Sequence, residues 1–138
     1  MKKFLTLGLL AISLVCCTSS DDSVGRHVSF KADGEPNHLT NIIVLQGSSE
    51  ISTQLFVKAT YPDAMPAITF YTYAGNISYD YWEFRYYVGD ISYHPADGFE
   101  LHFQINDGQR LKGTFSGPMT NGVTNVVIDD GSFDVEYF

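Results

Sequence analysis

The 138-residue chain has two cysteines, Cys16 and Cys17, and none after them. A folded unit built from the residues that follow must therefore stand without a disulfide framework. Basic residues are scarce: 8 Lys and Arg face 16 Asp and Glu, for a formal net charge of −8. That balance excludes a basic nucleic-acid footprint, so no nucleic-acid partner is expected. No apolar run reaches the ~18 residues that a spanning helix needs. Charged residues are only 17% of the chain and hydrophobic ones 44%, which excludes a disordered polymer. After Arg26 no sustained 3.6-residue periodicity is found, so helices are not expected. This length suits one domain.

The first residues set an address. Lys2 and Lys3 form a positive start, and Phe4 to Val15 is an unbroken stretch of apolar and small residues. It has the length of a secretory signal core and is too short to span a bilayer. It ends in Leu14-Val15-Cys16-Cys17, which resembles a bacterial lipobox. With Leu14 at −3 and Cys16 as the small residue at −1, the resemblance implies lipidation of Cys17. Cys16 is the second choice, because Val15 is a poor residue for −1. Each buried acyl CH₂ contributes about 0.8 kcal/mol, so the two or three chains implied by the lipobox moor a protein stably to a membrane.

The segment Thr18-Ser19-Ser20-Asp21-Asp22-Ser23 is small, polar and acidic, and reads as a flexible tether. Its acidic pair resembles the surface-export tether of Bacteroidota lipoproteins. That implies an outer-membrane anchor, with the cell surface favoured over the periplasmic face. The expected organisation is a signal peptide over 1–16, a lipidated tether over 17–26 and an all-β domain over 27–138. Without Lys2 and Lys3, six basic residues remain against 16 acidic ones, near −10. Such a charge disfavours adsorption of the domain itself to anionic headgroups.

From Arg26 the pattern has period two. Ile51, Thr53, Leu55, Val57 and Ala59 alternate with Ser52, Gln54, Phe56, Lys58 and Thr60. Phe99, Leu101, Phe103 and Ile105 alternate with Glu100, His102 and Gln104, and Phe133, Val135 and Tyr137 with Asp134 and Glu136. This is the signature of half-buried strands. Asn106-Asp107-Gly108 is a hairpin signal, and Asp33-Gly34 and Asp129-Asp130-Gly131 punctuate in the same way. The pattern predicts strands near 27–33, 38–46, 50–60, 66–73, 78–89, 99–105, 110–116, 122–128 and 132–138. Eight or nine short strands with frequent turns predict an antiparallel β-sandwich, with a small β-barrel as the alternative.

Two ends of this domain carry a resemblance. The opening is Val28-Ser29-Phe30-Lys31-Ala32-Asp33-Gly34-Glu35-Pro36. The close is Leu111-Lys112-Gly113-Thr114-Phe115, followed by Gly131-Ser132-Phe133-Asp134-Val135-Glu136-Tyr137. Both are similar to segments of small Bacteroidota lipoproteins of unknown function, whose chains end Leu-x-Gly-x-Phe and then Gly-x-Phe-x-x-x-Tyr. An aromatic that often follows the opening Pro is replaced here by Asn37. The resemblance implies a fold and no catalytic residue.

Nine aromatics lie between residues 70 and 87. On the strand expected from 78, the even positions Trp82, Phe84, Tyr86 and Val88 read as core. The odd positions Tyr79, Tyr81, Glu83, Arg85 and Tyr87 mix ring faces with charged groups, a surface suited to sugar stacking or to a protein hot spot. The competing reading is an exposed sheet face covered by cross-strand pairs. His94, Asp97, Glu100 and His102 gather possible ligands, but their spacing matches no metal motif. Asp129, Asp130 and Asp134 miss the calcium-loop spacing. Gly113-Thr114-Phe115-Ser116-Gly117 puts its serine one place late for a nucleophile elbow and inside an expected strand. No metal and no cofactor is expected.

The expected function is a non-catalytic binding module for a glycan or a protein partner, joined to the membrane through its N-terminal lipid. One alternative is an immunity lipoprotein whose negative charge steers it onto an envelope-targeting toxin. Another is a small envelope hydrolase using Glu83 and Glu100.

Overall fold

Alternating side chains want one apolar face each, and the chain satisfies all of them around a single interior. A computed structural model describes residues 26–48, 52–75 and 82–137. The expected signal peptide, Cys17, the tether as far as residue 25, and Tyr79 and Tyr81 lie outside the described residues. Among the described residues there are ten strands and no helix: β1 (His27–Ala32), β2 (Glu35–Leu39), β3 (Asn41–Ser48), β4 (Thr53–Thr60), β5 (Pro66–Tyr73), β6 (Trp82–Val88), β7 (Ile91–Pro95), β8 (Glu100–Asn106), β9 (Arg110–Thr120) and β10 (Asn125–Glu136).

All pairings are antiparallel, and the order is β2-β1-β10-β9-β7-β6-β5-β4-β3, with β8 added beside β9. The strands make one continuous sheet that nearly closes into a barrel, the alternative to the sandwich. The topology explains the closure. β2 and β3 are the two ends of the sheet order, yet Thr40 alone separates them in sequence. One residue spans at most about 3.6 Å, so the two ends of the sheet are pinned together at that corner. Tyr61 crosses the seam, its hydroxyl donating to Asn37 Oδ1 on β2 at 3.3 Å.

Turn chemistry follows the residues that require it. Asp33 and Gly34 both have positive φ, 49° and 86°, as a two-residue hairpin turn of the mirror-image kind demands. Asp107 Oδ1 accepts from the backbone N–H groups of Gln109 and Arg110 at 2.9 and 2.8 Å. These bonds hold its carboxyl below the ordinary carboxylate range.

Three expectations need correction. Asp129-Asp130-Gly131 is a bulge and not a hairpin: β10 runs through it, the register with β9 shifts between Ile128 and Gly131, and Asp130 takes φ 51°. The expected strands 122–128 and 132–138 are therefore one. The expected strand 38–46 is broken at Thr40, where the chain crosses from β2 to β3. β7 was not expected at all, because Ile91-Ser92-Tyr93-His94-Pro95 is short, polar and ends in proline.

The interior is filled by rings. Phe70 of β5 lies 5.3 Å from Phe133 of β10 and 5.7 Å from Phe84 of β6, and Phe84 lies 5.2 Å from Phe115 of β9. Phe30 of β1 meets Tyr86 edge-on at 5.5 Å. All of these side chains are buried. Each contributes roughly 1.5–3 kcal/mol by leaving water. Burial raises the Tyr86 phenol well above its ordinary pKa, helped by a hydrogen bond with Tyr61. At one end of the barrel the buried Asn106 ties two other segments together with three hydrogen bonds. Its Nδ2 donates to Tyr73 O at 2.6 Å, and its Oδ1 accepts from Gly75 N at 2.8 Å and from the Tyr137 hydroxyl at 3.1 Å.

The closing motifs prove to be two halves of one device. Gly113 is opposite Phe133, and Gly131 is opposite Phe115. Each strand's phenylalanine covers the other's glycine. A Cβ on Gly113 would come within 2.5 Å of the Phe133 ring and strike the His102 carbonyl oxygen. A Cβ on Gly131 would come within 2.6 Å of the Phe115 ring and strike the Phe115 carbonyl oxygen. Gly113→Ala and Gly131→Ala are therefore each expected to cost roughly 2–4 kcal/mol, measured as a fall in the urea midpoint. A loss below about 1 kcal/mol in both would contradict this packing.

On the outer side of β10, Arg110 donates to both carboxylate oxygens of the buried Asp134, from Nε at 2.8 Å and from a terminal nitrogen at 2.6 Å. This fork lowers the Asp134 pKa, outweighing the opposing effect of burial, with smaller contributions from Lys112 and His27. A lowered folded-state pKa gives stability that is complete above the unfolded carboxylate value of about 3.9 and is lost as pH falls through the folded value. Acid titration of stability should show this loss below about pH 4, and Asp134→Ala should remove it while costing roughly 2–3 kcal/mol at neutral pH.

Candidate functional site

Among the described residues rings pack the interior, and the outer positions of the barrel are the ones open to a ligand. The outer positions can be laid out row by row from the strand register. In one row Ile43 of β3 is opposite Lys58 of β4, Lys58 opposite Thr69 of β5, and Thr69 opposite Arg85 of β6. In the next, Leu45 is opposite Phe56 and Phe56 is opposite Tyr71. Four strands at about 4.8 Å spacing make this face about 14 Å wide.

The face combines apolar area with two cations that have no ion pair among the described residues. Ile43 is 44% exposed and Leu45 57%. Phe56 and Tyr71 are half-buried, with ring centroids 4.7 Å apart at 34°. Thr69 is buried between the half-buried Lys58 and Arg85. Among the described residues, neither cation has a carboxylate within ion-pair distance. The four other described Lys and Arg residues are engaged. Lys31 pairs with Asp130 at 2.7 Å, Arg110 and Lys112 pair with Asp134, and Arg26 donates to the Glu136 carbonyl.

Of the residues singled out from the sequence, Arg85 belongs to this face, Glu83 and Tyr87 are on the same strand, and Tyr79 and Tyr81 lie outside the described residues. Phe84 and Tyr86 are buried as expected. Arg85 and Tyr87 are half-buried and Glu83 is exposed on the other side of β6. Val88, expected in the core, is 49% exposed. The strict alternation expected over 78–89 is interrupted. Tyr71 is paired with Trp82 and Thr69 with Arg85, so β6 holds an extra residue, and Glu83 takes φ 54°. This is a bulge, and a single parity cannot be carried across it toward Tyr81 and Tyr79. Sequence reasoning missed Ile43, Leu45, Phe56 and Tyr71 as a group. The one local signal was Phe56, an aromatic on the polar parity of its strand.

A second surface lies over β1 and β2. Ser29, Lys31, Pro36, Asn37, His38 and Asp130 border an open groove of about 500 Å³. The Ser29 hydroxyl is 2.6 Å from His38 Nδ1, and the His38 ring stacks on His27 at 5.9 Å. Distance alone would allow a nucleophile–base pair. Among the described residues no carboxylate is hydrogen-bonded to His38, and Asp130 is held by Lys31 instead. The geometry is that of a cross-strand hydrogen bond, since Ser29 and His38 are direct partners in the sheet.

Elsewhere, Glu100 and His102 meet each other at 3.2 Å, and among the described residues no three His, Asp or Glu side chains could hold a metal ion. Ser116 lies within β9, where its partner is Glu100.

No family model matches this chain, and neither does any curated protein or solved structure. Leu45→Ser is expected to change folding stability by no more than about 1 kcal/mol, measured by urea denaturation. A larger loss would assign Leu45 to the fold and not to a docking surface.

Proposed function

We propose that the chain is a non-catalytic binding module, anchored at the outer membrane through a lipidated Cys17 and displayed at the cell surface, whose outer β3–β6 face holds a protein partner. The observation that carries this reading is the exposure of Ile43 and Leu45 beside the Phe56–Tyr71 pair on the outside of a barrel with a filled interior. Contiguous exposed apolar area rimmed by polar groups marks interaction surfaces. A glycan is favoured less than a protein. Sugars stack on open ring faces, whereas the Phe56 and Tyr71 rings pack against each other, with Leu45 beside Phe56. Tyr87 and Glu83 would form the polar rim.

A photo-crosslinking amino acid placed at Leu45 is expected to capture a protein partner in intact cells, and one at the exposed Gln104 of β8 is expected not to. Cys17→Ala should move the protein out of the membrane fraction and abolish the capture. Equal capture at both positions, or none at Leu45 in surface-displayed protein, would overturn this assignment.

A further inference from the structure

We infer that Lys58 and Arg85 form a two-point carboxylate clamp, so that the partner segment docking on the β3–β6 face is acidic as well as apolar. The inference rests on the reading of that face as a protein-binding surface and names the chemistry of what it takes.

The argument starts from scarcity. Acidic residues outnumber basic ones two to one, so a cation on this surface has carboxylates available. Lys31, Arg110 and Lys112 each use one. Lys58 and Arg85 do not, among the described residues, although both are half-buried. A half-buried charge loses part of its hydration, and a counter-charge supplied by a partner offsets that loss. The two flank Thr69 in one row, which sets their strands about 10 Å apart. Carboxylates about 7 Å apart, at i and i+2 of an extended segment, lie within reach of both long side chains. The side chain at i−2, on the same side of the segment as the two carboxylates, would reach Ile43 and Leu45 at the β3 end of the face. The chain as a whole is negative, which disfavours an acidic segment on surfaces without Lys58 and Arg85. Charge placement then selects orientation and partner more than it adds affinity.

The test titrates the ¹⁵N-labelled protein at low salt with three octapeptides of pattern Ser-Val-Ser-X-Ser-X-Ser-Val, in which X is glutamate, glutamine or lysine (Val-Glu, Val-Gln and Val-Lys), so that valines and X residues share one face. The Val-Glu peptide should shift amide resonances at residues 43–45, 56–58, 69–71 and 85 and bind about tenfold more tightly than the Val-Gln peptide. The Val-Lys peptide should leave those resonances unmoved. In the K58E/R85E variant the preference should reverse, with Val-Lys bound and Val-Glu excluded. The neutral K58Q/R85Q variant, gentler on the fold, should lose the discrimination between Val-Glu and Val-Gln. Equal binding of Val-Glu and Val-Gln to the unmodified protein, or no shift at the face with any peptide, overturns the clamp. If Leu45 still crosslinks a partner in cells and K58Q/R85Q leaves that capture unchanged, the clamp falls and the binding face stands. If Leu45 captures nothing while the Val-Glu preference holds, the cellular role falls and the clamp stands.

Discussion

The barrel depends on the close approach of β9 and β10 where each phenylalanine covers the other strand's glycine. β10 sits between β1 and β9, and β9 in turn carries β8 along one stretch and β7 along another. Both halves of the sheet are therefore organised around this pair. The missing Cβ atoms of Gly113 and Gly131 let Phe133 and Phe115 lie over the backbone and still reach Phe70 and Phe84 across the interior. A domain with no cysteine after Cys17 has no covalent staple to fall back on. Ring packing has to supply what a disulfide supplies in disulfide-bonded folds.

A filled interior decides where function can reside. Small barrels either pack their centre with side chains or hold a ligand there, and the aromatic cluster of this chain takes the first course. Its apolar side faces inward and its outer side carries Lys, Arg, Glu and His, the reverse of a barrel that spans lipid. Asn106 ties the 73–75 stretch to Tyr137 at one end, and Tyr61 bridges the seam that Thr40 creates. On the outer surface, exposed aliphatic side chains lie in rows next to two cations that have no ion pair among the described residues.

Much of the fold could be read from local pattern, because alternation is local. Leu55, Val57 and Ala59 point inward as their parity demands, and so do Phe133 and Val135. Asp33-Gly34 turns because only residues tolerant of positive φ can stand there. The reading failed where a residue breaks the period for a tertiary reason. Asp130 resembles a turn residue but serves a bulge, with its carboxylate held by Lys31 ninety-nine positions away. Glu83 likewise takes a left-handed conformation inside a strand, which undoes parity arguments that cross it. The candidate site was still less legible. Its members come from four strands, and only the register between those strands puts Leu45, Phe56 and Tyr71 in one row. Phe56 on a polar parity was visible in the sequence, but its neighbours were not.

The two sides of the sheet treat their charges differently, and that contrast links stability to recognition. Around β9 and β10 the cations are spent internally: Arg110 grips Asp134 with both arms of its fork and Lys112 stands nearby. A charge so matched has little left to offer a ligand, and its geometry is held by the fold. Around β4 and β6 the cations stand beside Thr69 and the Phe56–Tyr71 pair without a carboxylate among the described residues. A surface that neutralises its charges in one region and leaves them unmatched in another has put its residual electrostatic potential where apolar contact is also available. Apolar contact alone discriminates poorly between partners, and exposed charge alone contributes little affinity. Placed in adjacent rows, each supplies what the other lacks, and that pairing separates this face from the Ser29–His38 groove, where the polar groups are already bonded to one another.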